Sequence, residues 1–381
     1  MSAGQLSFRL SLLVGSIFLA LGLFLPFWPV FLELRGMTAV EIGILLAAAT
    51  WVKILGVPFW GRIADRSGNT RGVLLLLGLA SLLAYLYLGL AGGFLLLLIG
   101  HIFLGFVYNP LIPLTDAEIL SAGRRRGIDY GRVRLWGSVA FVAGNLAGGA
   151  LLELEGGRWF LGAILASLLL AAGAAASLPR AEKPNSDSAP LQWRLLLTNG
   201  NFLRLVLIAG FLQSSHAAYY AVSSLTWLAA GHSETTIAWL WAEGVLVEIA
   251  LLAVSGRLMV RTKPADLLLL AGAAGVLRWT VTGLSSDLGV LIAAQALHAL
   301  TFAAAHLGAV LLIAKTVPSG AAASGQAIYT ALQGGIMMGL ALLAAGFLYD
   351  ISPASAFAAM AVLSGLGLIF GLLWHRRLAL P

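Results

Sequence analysis

Lys53, Glu243, Glu248, Arg278, His298 and His306 are titratable side chains inside otherwise apolar stretches of the sequence. A charge held in hydrocarbon costs at least ~2.5–3.5 kcal/mol on insertion scales, so each needs a partner or a water-filled cavity. Counted from the ends of their stretches, Lys53, Glu248, Arg278 and His298 lie about ten to thirteen residues deep. At 1.5 Å per residue that is ~15–20 Å, close to the middle of a ~30 Å bilayer core. An amine, a carboxyl, a guanidinium and an imidazole at one depth can bind an anion and move a proton, whereas ion pairs that merely glue helices would have no need of a common depth.

The polar residues around them are patterned. Gln295, His298, Phe302 and His306 recur at steps of three, four and four, which is one helix face. Gln213, His216 and Tyr220 repeat the pattern, and Gln326, Tyr329 and Gln333 offer a third stripe. Glu243 follows Trp239 and Trp241 and lies nearer the outside than the middle, the place of an entrance residue. Phe24, Phe27, Trp28, Tyr219 and Tyr220 can supply apolar and stacking surface to a bound solute. A second polar group is Asp116, at the end of one apolar stretch, with Arg134 at the start of the next.

The elements that must position these residues are membrane spans. Hydrophobic residues make up 60% of the 381, charged residues only 10%, and mean hydropathy is +0.94, which excludes an ordinary soluble domain. Spans of ~20 residues with short loops predict an all-α membrane protein of twelve helices, at about 8–32, 40–60, 72–91, 94–116, 133–154, 159–178, 202–229, 236–256, 266–284, 289–314, 322–349 and 355–374. Pro110 and Pro113 break the fourth. "PRAEKPNSDSAPLQWR" is the one long polar stretch, and it divides the chain into a first six-helix half (1–178), a linker (179–200) and a second half (201–381).

Charge placement orients this layout. Of the 23 lysines and arginines, 19 lie on the face that holds the linker and both termini; only Arg35 and Arg158 lie on the other, and Lys53 and Arg278 are inside spans. That asymmetry predicts both termini in the cytoplasm, and it accounts for the net charge of +7 without a nucleic-acid partner. The first apolar run has no small-residue cleavage pattern and reads as a span, not a signal peptide. With no cysteine there is no disulfide framework or thiol chemistry. No His-Glu-x-x-His or Gly-x-Ser-x-Gly element points to a hydrolase, and neither a metal nor a cofactor is expected.

Between the second and third spans lies "GRIADRSGNTR", residues 61–71. Its three arginines, one aspartate and two glycines predict a tight polar hairpin, Gly61 and Gly68 allowing close helix approach and a sharp turn. "RGMTAVEIGILL" and "AGHSETTIAWLW" repeat 195 residues apart, with Gly36 matching Gly231, Gly61 matching Gly256, Arg62 matching Arg257 and Arg66 matching Arg261. The second loop carries Val260 in place of the aspartate. The spacing Gly61-x-x-x-Asp65-Arg66-x-Gly68-x-x-Arg71 closely resembles the signature loop of the major facilitator superfamily. "NPLIPLTDAEIL", "DYGRVRLWGSVAF", "LFLPFWPVFLELRGMT", "SSHAAYYAVSSLTWLAAGHS", "GVLRW" and "ALHALTFAAAHLG" are similar to its phenylpropionate-permease branch, related to the nucleoside:proton and oligosaccharide:proton symporters.

The resemblance implies the major facilitator fold, two pseudo-symmetric six-helix halves with a substrate site between them, working as a monomer in the cytoplasmic membrane. Asp116 and Arg134, eighteen residues apart, match the carboxylate and arginine that bind sugar in lactose-type symporters; Arg278 and His298 match an arginine and a histidine of the same proteins. The glutamate one turn beyond that histidine is absent, since Thr301 stands there, and the essential glutamate of the eighth span has two candidates, Glu243 and Glu248. The expected activity is therefore proton-coupled uptake of a small organic solute, an aromatic or other carboxylate such as a phenylpropionate. Lys53 or Arg134 would meet the carboxylate, with Asp116, His216, Gln295, Phe302, Gln333 and the aromatic residues around it. Glu248 would carry the proton, helped by Arg278 and His298, with His306 and Glu243 as further candidates. Gly61, Asp65, Arg66, Gly68 and Arg71 would hold one conformation. The alternatives are a nucleoside or sugar symporter and a drug:proton antiporter; the missing proline in "GSVAFVAGNLAGGALLE" argues against the last.

Overall fold

The computed structural model describes residues 2–155, 157–179, 193–259, 262–318 and 322–378. It has twelve helices long and apolar enough to cross a membrane: α1 Ala3–Leu34, α2 Ala39–Ser67, α3 Thr70–Leu90, α4 Phe94–Arg126, α5 Tyr130–Leu154, α6 Phe160–Ser177, α7 Gly200–Ala229, α8 Glu234–Val254, α9 Pro264–Leu284, α10 Leu288–Thr316, α11 Ser324–Ile351 and α12 Pro353–His375. No strand occurs among the described residues. Helices are the form in which a chain of this hydropathy satisfies its backbone without water.

The helix ends follow local chemistry. Ser2 and Gln5 form a reciprocal capping box before α1; Asn69, Asn199 and Asp287 cap α3, α7 and α10 through their side-chain oxygens. Gly127, at φ +67°, closes α4 directly after Arg124, Arg125 and Arg126, whose charge complements the carbonyl end of that helix. The arginine run is thus the last turn of a helix.

Residues 61–71 depart from the hairpin expected. α2 continues as helix through Ser67, and the turn is only Gly68 and Asn69. Gly68, at φ +59°, ends α2 by donating its N–H to the Ala64 carbonyl at 3.0 Å. Among the described residues nothing lies within 4 Å of where a Cβ at Gly61 would stand, so no close helix contact there calls for the glycine. Good helix formers from Arg62 to Arg66 carry the helix past the apolar stretch, which hydropathy alone does not register.

The residues group into two compact units, one of Met1–Met37, Trp51–Asp187 and Gly231–Trp239, the other of Thr38–Thr50, Ser188–Ala230 and Leu240–Pro381. In the first, α1 packs along α5 and α6, and α3 packs along α4 and α6. Gly22 lets α1 approach α5 so closely that a methyl there would collide with the Phe141 carbonyl. In the second, α9 and α7 pack along α12, and Phe202, Leu205, Ile208, Ala305 and Ala309 belong to one fully buried core. Of the linker 179–200, residues 180–192 lie outside the described residues, as do Val260 and Arg261 of the second loop copy; Trp193–Leu197 is one helical turn.

Candidate functional site

Arg278 of α9 is the centre of a polar cluster in the second unit, 1% exposed. Its Nη1 donates to His298 Nδ1 at 3.0 Å and to Thr301 Oγ1 at 2.9 Å, and its Nη2 donates to Gln295 Oε1 at 2.5 Å. The guanidinium also lies over the rings of Trp279 (4.4 Å) and Tyr219 (5.0 Å), which hold a buried cation by their π faces. A guanidinium can only donate, so His298 must accept on Nδ1 and keep its proton on Nε2. That Nε2 points to Glu248 Oε2 at 3.8 Å, longer than a hydrogen bond but within ion-pair range.

Aromatic residues close around this chain. His298 and Phe302 stack at 5.4 Å with 9° between their planes, and His216 meets His298, Phe302 and Trp279 edge-on. Tyr219 stacks on Trp241 at 4.0 Å, and Gln295 Nε2 donates to the Tyr219 hydroxyl at 3.4 Å. His216 donates from Nδ1 to the Gln213 carbonyl at 3.1 Å, and its Nε2 lies 3.3 Å from Thr301 Oγ1, whose one hydroxyl proton serves either that nitrogen or the His298 carbonyl at 3.2 Å.

Three departures from regular helix occur at this cluster or one helix away from it. α7 breaks at Ser215 and His216, so His216 heads the second segment of that span. α10 widens to a π-helix over Ala299–Ala304, just after His298, and α11 does so over Thr330–Met337, which contains Gln333. Such i→i+5 turns are rare and concentrate at functional sites.

The structure thus joins Gln295, His298, Phe302, His216, Tyr219, Tyr220, Arg278 and Glu248 in one cluster. Glu243 is half-buried and within electrostatic reach of Arg278. His306 is exposed and lies apart from the ring stack, and Gln333 is half-buried on α11. Residues that the patterns did not single out are Thr301, which takes a hydrogen bond from Arg278, and Trp279, whose indole donates to Ser215 Oγ at 3.0 Å. Both are uncharged, so a search for titratable groups in apolar runs passes over them.

The first unit holds the other candidates. Arg134 Nε lies 3.8 Å from Asp116 Oδ1, each side chain about 30% exposed, and the Tyr130 hydroxyl donates to the same Oδ1 at 3.2 Å. Arg134 also lies over the Phe18 ring at 4.0 Å. Lys53 is half-buried, with no hydrogen-bond or ion-pair partner among the described residues. Phe24 is half-buried, whereas Phe27 and Trp28 are fully buried. Phe27 fills the space over Gly148 of α5, a packing position. Trp28 donates its indole N–H to His101 Nε2 at 2.8 Å, and His101 Nδ1 donates to the Leu97 carbonyl at 2.7 Å. His101 is therefore a neutral, satisfied histidine that braces α1 against α4. In the loop, Asp65 and Arg66 are exposed, and Asp65 makes no ion pair among the described residues.

Residues 8–359 match the model of the MFS_1 like family. The chain is 34% identical, over 91% of its length and 92% of the relative's, to a probable 3-phenylpropionic acid transporter of Escherichia coli (strain K12). It is 27% identical over 88% of its length to a maltose permease of Geobacillus stearothermophilus, of which it covers 85%. In fold it is similar to the nucleoside transporter NupG, with a TM-score of 0.83 at 12% identity over 99% of this chain and all of that one. A bacterial homolog of the lysosomal transporter Spinster superimposes with a TM-score of 0.77 at 16% identity, covering 100% and 98%. Twelve apolar helices in this fold, with transporters as relatives, make the protein an integral multi-pass membrane protein and a secondary transporter: the chain belongs to the MFS_1 like family of the major facilitator superfamily.

Proposed function

We propose that this transporter imports a small aromatic carboxylate, of the phenylpropionate kind, together with protons. The observation that carries this reading is the Arg278–His298–Glu248 chain, buried at Arg278 and His298 and half-buried at Glu248, inside a ring of aromatic side chains. The 34% identity to a probable 3-phenylpropionic acid transporter supports the substrate class. Glu248 carries the proton. The Arg278–His298 bond needs the Nδ1 lone pair, so a second proton on that ring displaces the guanidinium, and the proton thereby acquires a mechanical consequence. Lys53 and Arg134 are the cations for the carboxylate, and the halves 1–178 and 201–381 rock as two bodies. The protein works as a monomer in the cytoplasmic membrane with both termini inside. Uptake of labelled aromatic acids, nucleosides and sugars into proteoliposomes, with and without a protonophore, tests the whole reading; protonophore-insensitive accumulation would overturn the coupling.

A neutral sugar is the second reading, favoured by the Asp116–Arg134 pair, which offers acceptor and donor side by side to hydroxyl groups, and by the maltose permease among the relatives. Substitution separates the two. If Lys53 or Arg134 meets an anionic substrate, Lys53→Met or Arg134→Met removes a buried charge-assisted contact of roughly 2–5 kcal/mol. The acid should then lose roughly 30-fold or more in affinity and its neutral amide analogue far less. Equal losses for both compounds would make the cation structural.

The role of the α2–α3 turn is separable from binding. Asp65 is exposed at the end of α2, so Asp65→Asn should slow transport at least about tenfold while equilibrium affinity stays within about threefold, a difference under 1 kcal/mol. Binding and initial-rate measurements on one preparation check this, and a large loss of binding would remove the loop from the conformational step.

A further inference from the structure

We propose that a groove on the first unit, floored by α1 and walled by α5 and α6, holds one anionic phospholipid. The acyl chain lies along α1 and the phosphate lies at Arg132. The groove encloses about 850 Å³ and runs past Gly4, Ser11 and Gly15 on α1, Arg132 to Ala143 on α5, and Leu170 on α6. From Arg132 to Ala143 is eleven residues, ~16 Å of helix, which is half the ~30 Å hydrocarbon thickness. One leaflet's chain therefore fits from mouth to end.

The floor is not small for the sake of helix packing. A Cβ at Gly4 would meet nothing within 4 Å, and one at Gly15 would come no nearer than 3.8 Å to Ala140. This contrasts with Gly22 on the same helix, where α5 leaves no room. The space over Gly4 and Gly15 belongs to the groove. Its rims are apolar and exposed, Phe8 at 69% and Trp136 at 56%, which in an integral membrane protein is surface for hydrocarbon rather than for a water-borne solute.

The mouth is basic. Arg132 is exposed there, and Asp129 beside it caps α5, its Oδ1 accepting from the Arg132 backbone N–H at 2.9 Å. Arg124, Arg125 and Arg126 end the preceding helix, with Arg125 shared with Glu118 at 3.5 Å. Arg134 takes no part, since it lies over Phe18 and pairs with Asp116. Within the lining Arg132 and Asp129 balance, and the positive excess of the 124–132 segment comes from the arginine run directly before Gly127; one arginine at a membrane surface is worth about fivefold in affinity for a phosphodiester.

The test is native mass spectrometry of the detergent-purified protein titrated with phosphatidylglycerol or phosphatidylcholine. One phosphatidylglycerol should bind in preference to phosphatidylcholine. Arg132→Gln should weaken phosphatidylglycerol about fivefold and phosphatidylcholine, whose choline already offsets its own phosphate, by less, and Ala143→Phe, which fills the groove, should weaken both. Both side chains are exposed, so thermal unfolding of the two variants should match wild type, and soluble glycerol 3-phosphate should not compete. Equal retention of the two lipids, unchanged retention in both variants, or displacement by glycerol 3-phosphate would each overturn the assignment, the last by showing a simple phosphate site.

Discussion

Glu248→Gln should abolish uphill, pH-gradient-driven accumulation and leave substrate exchange across the membrane running. The amide is nearly isosteric with a protonated carboxyl, so it fixes the site in its loaded, neutral form. Exchange of internal for external substrate requires no net release of the proton, and its rate should stay within about threefold, less than 1 kcal/mol in barrier. Net accumulation requires the carboxyl to deprotonate before the empty carrier returns, and glutamine cannot. His298 sharpens the expectation: its Nε2 proton faces Glu248 at 3.8 Å while Nδ1 is tied to Arg278. A proton leaving Glu248 is therefore sensed by a ring that faces both charges. The two assays belong in the same proteoliposomes. Retained pH-driven accumulation would remove Glu248 from the mechanism and move the proton to Glu243 or to the histidines.

The fold was legible because hydropathy, proline and charge all bear on it. Twelve apolar stretches mark the spans, and Pro110 marks the break in α4, where the structure turns at Asn109 and Pro110. Pro113 breaks nothing, since it falls in the first turn of the segment beginning at Leu111, where its missing N–H would be unpaired anyway. Hydropathy alone reads 61–71 as a hairpin because helix propensity and hydropathy part company there: Arg62 to Ser67 include three charged residues and are helical.

The cluster around Arg278 was legible to the extent that it is charged and periodic. Steps of three and four brought Gln295, His298 and Phe302 onto one face, and they do meet. The same stripe includes His306, which does not join them; a repeat of side-chain types says nothing of which neighbouring helix stands opposite at each level. The aromatic cluster of α1 divides for a similar reason. Phe24 remains half-buried, Phe27 is taken up by the Gly148 contact, and Trp28 is committed to His101. His101 itself sits alone in an apolar run, and only the distances to Trp28 and Leu97 show that both of its nitrogens are spoken for.

Arg278→Met and Arg278→Lys should separate folding from function at this cluster. Breaking a buried pair by removing one charge is costly when the other charge stays unpaired, but the side chains that Arg278 contacts are uncharged as hydrogen-bonded here. Without it, Gln295 Nε2 keeps the Tyr219 hydroxyl and Thr301 keeps His216, but the buried Gln295 Oε1 and His298 Nδ1 each lose their donor, while an apolar chain of similar volume fills the space between Trp279 and Tyr219. Arg278→Met should accordingly still fold, with a stability loss of about 1–3 kcal/mol that lowers its thermal unfolding by several degrees. Coupled transport should nevertheless fall by roughly 10²-fold or more, since the cation that answers the proton is gone. Arg278→Lys restores the charge without the planar fork that reaches Gln295 from one nitrogen and His298 and Thr301 from the other. It should transport little better than the methionine variant and, with a charge still buried, should be the less stable of the two. Thermal unfolding beside gradient-driven uptake gives both numbers. Lysine working at near wild-type rate would mean that charge alone suffices, and a methionine variant that fails to fold would make Arg278 a structural cation.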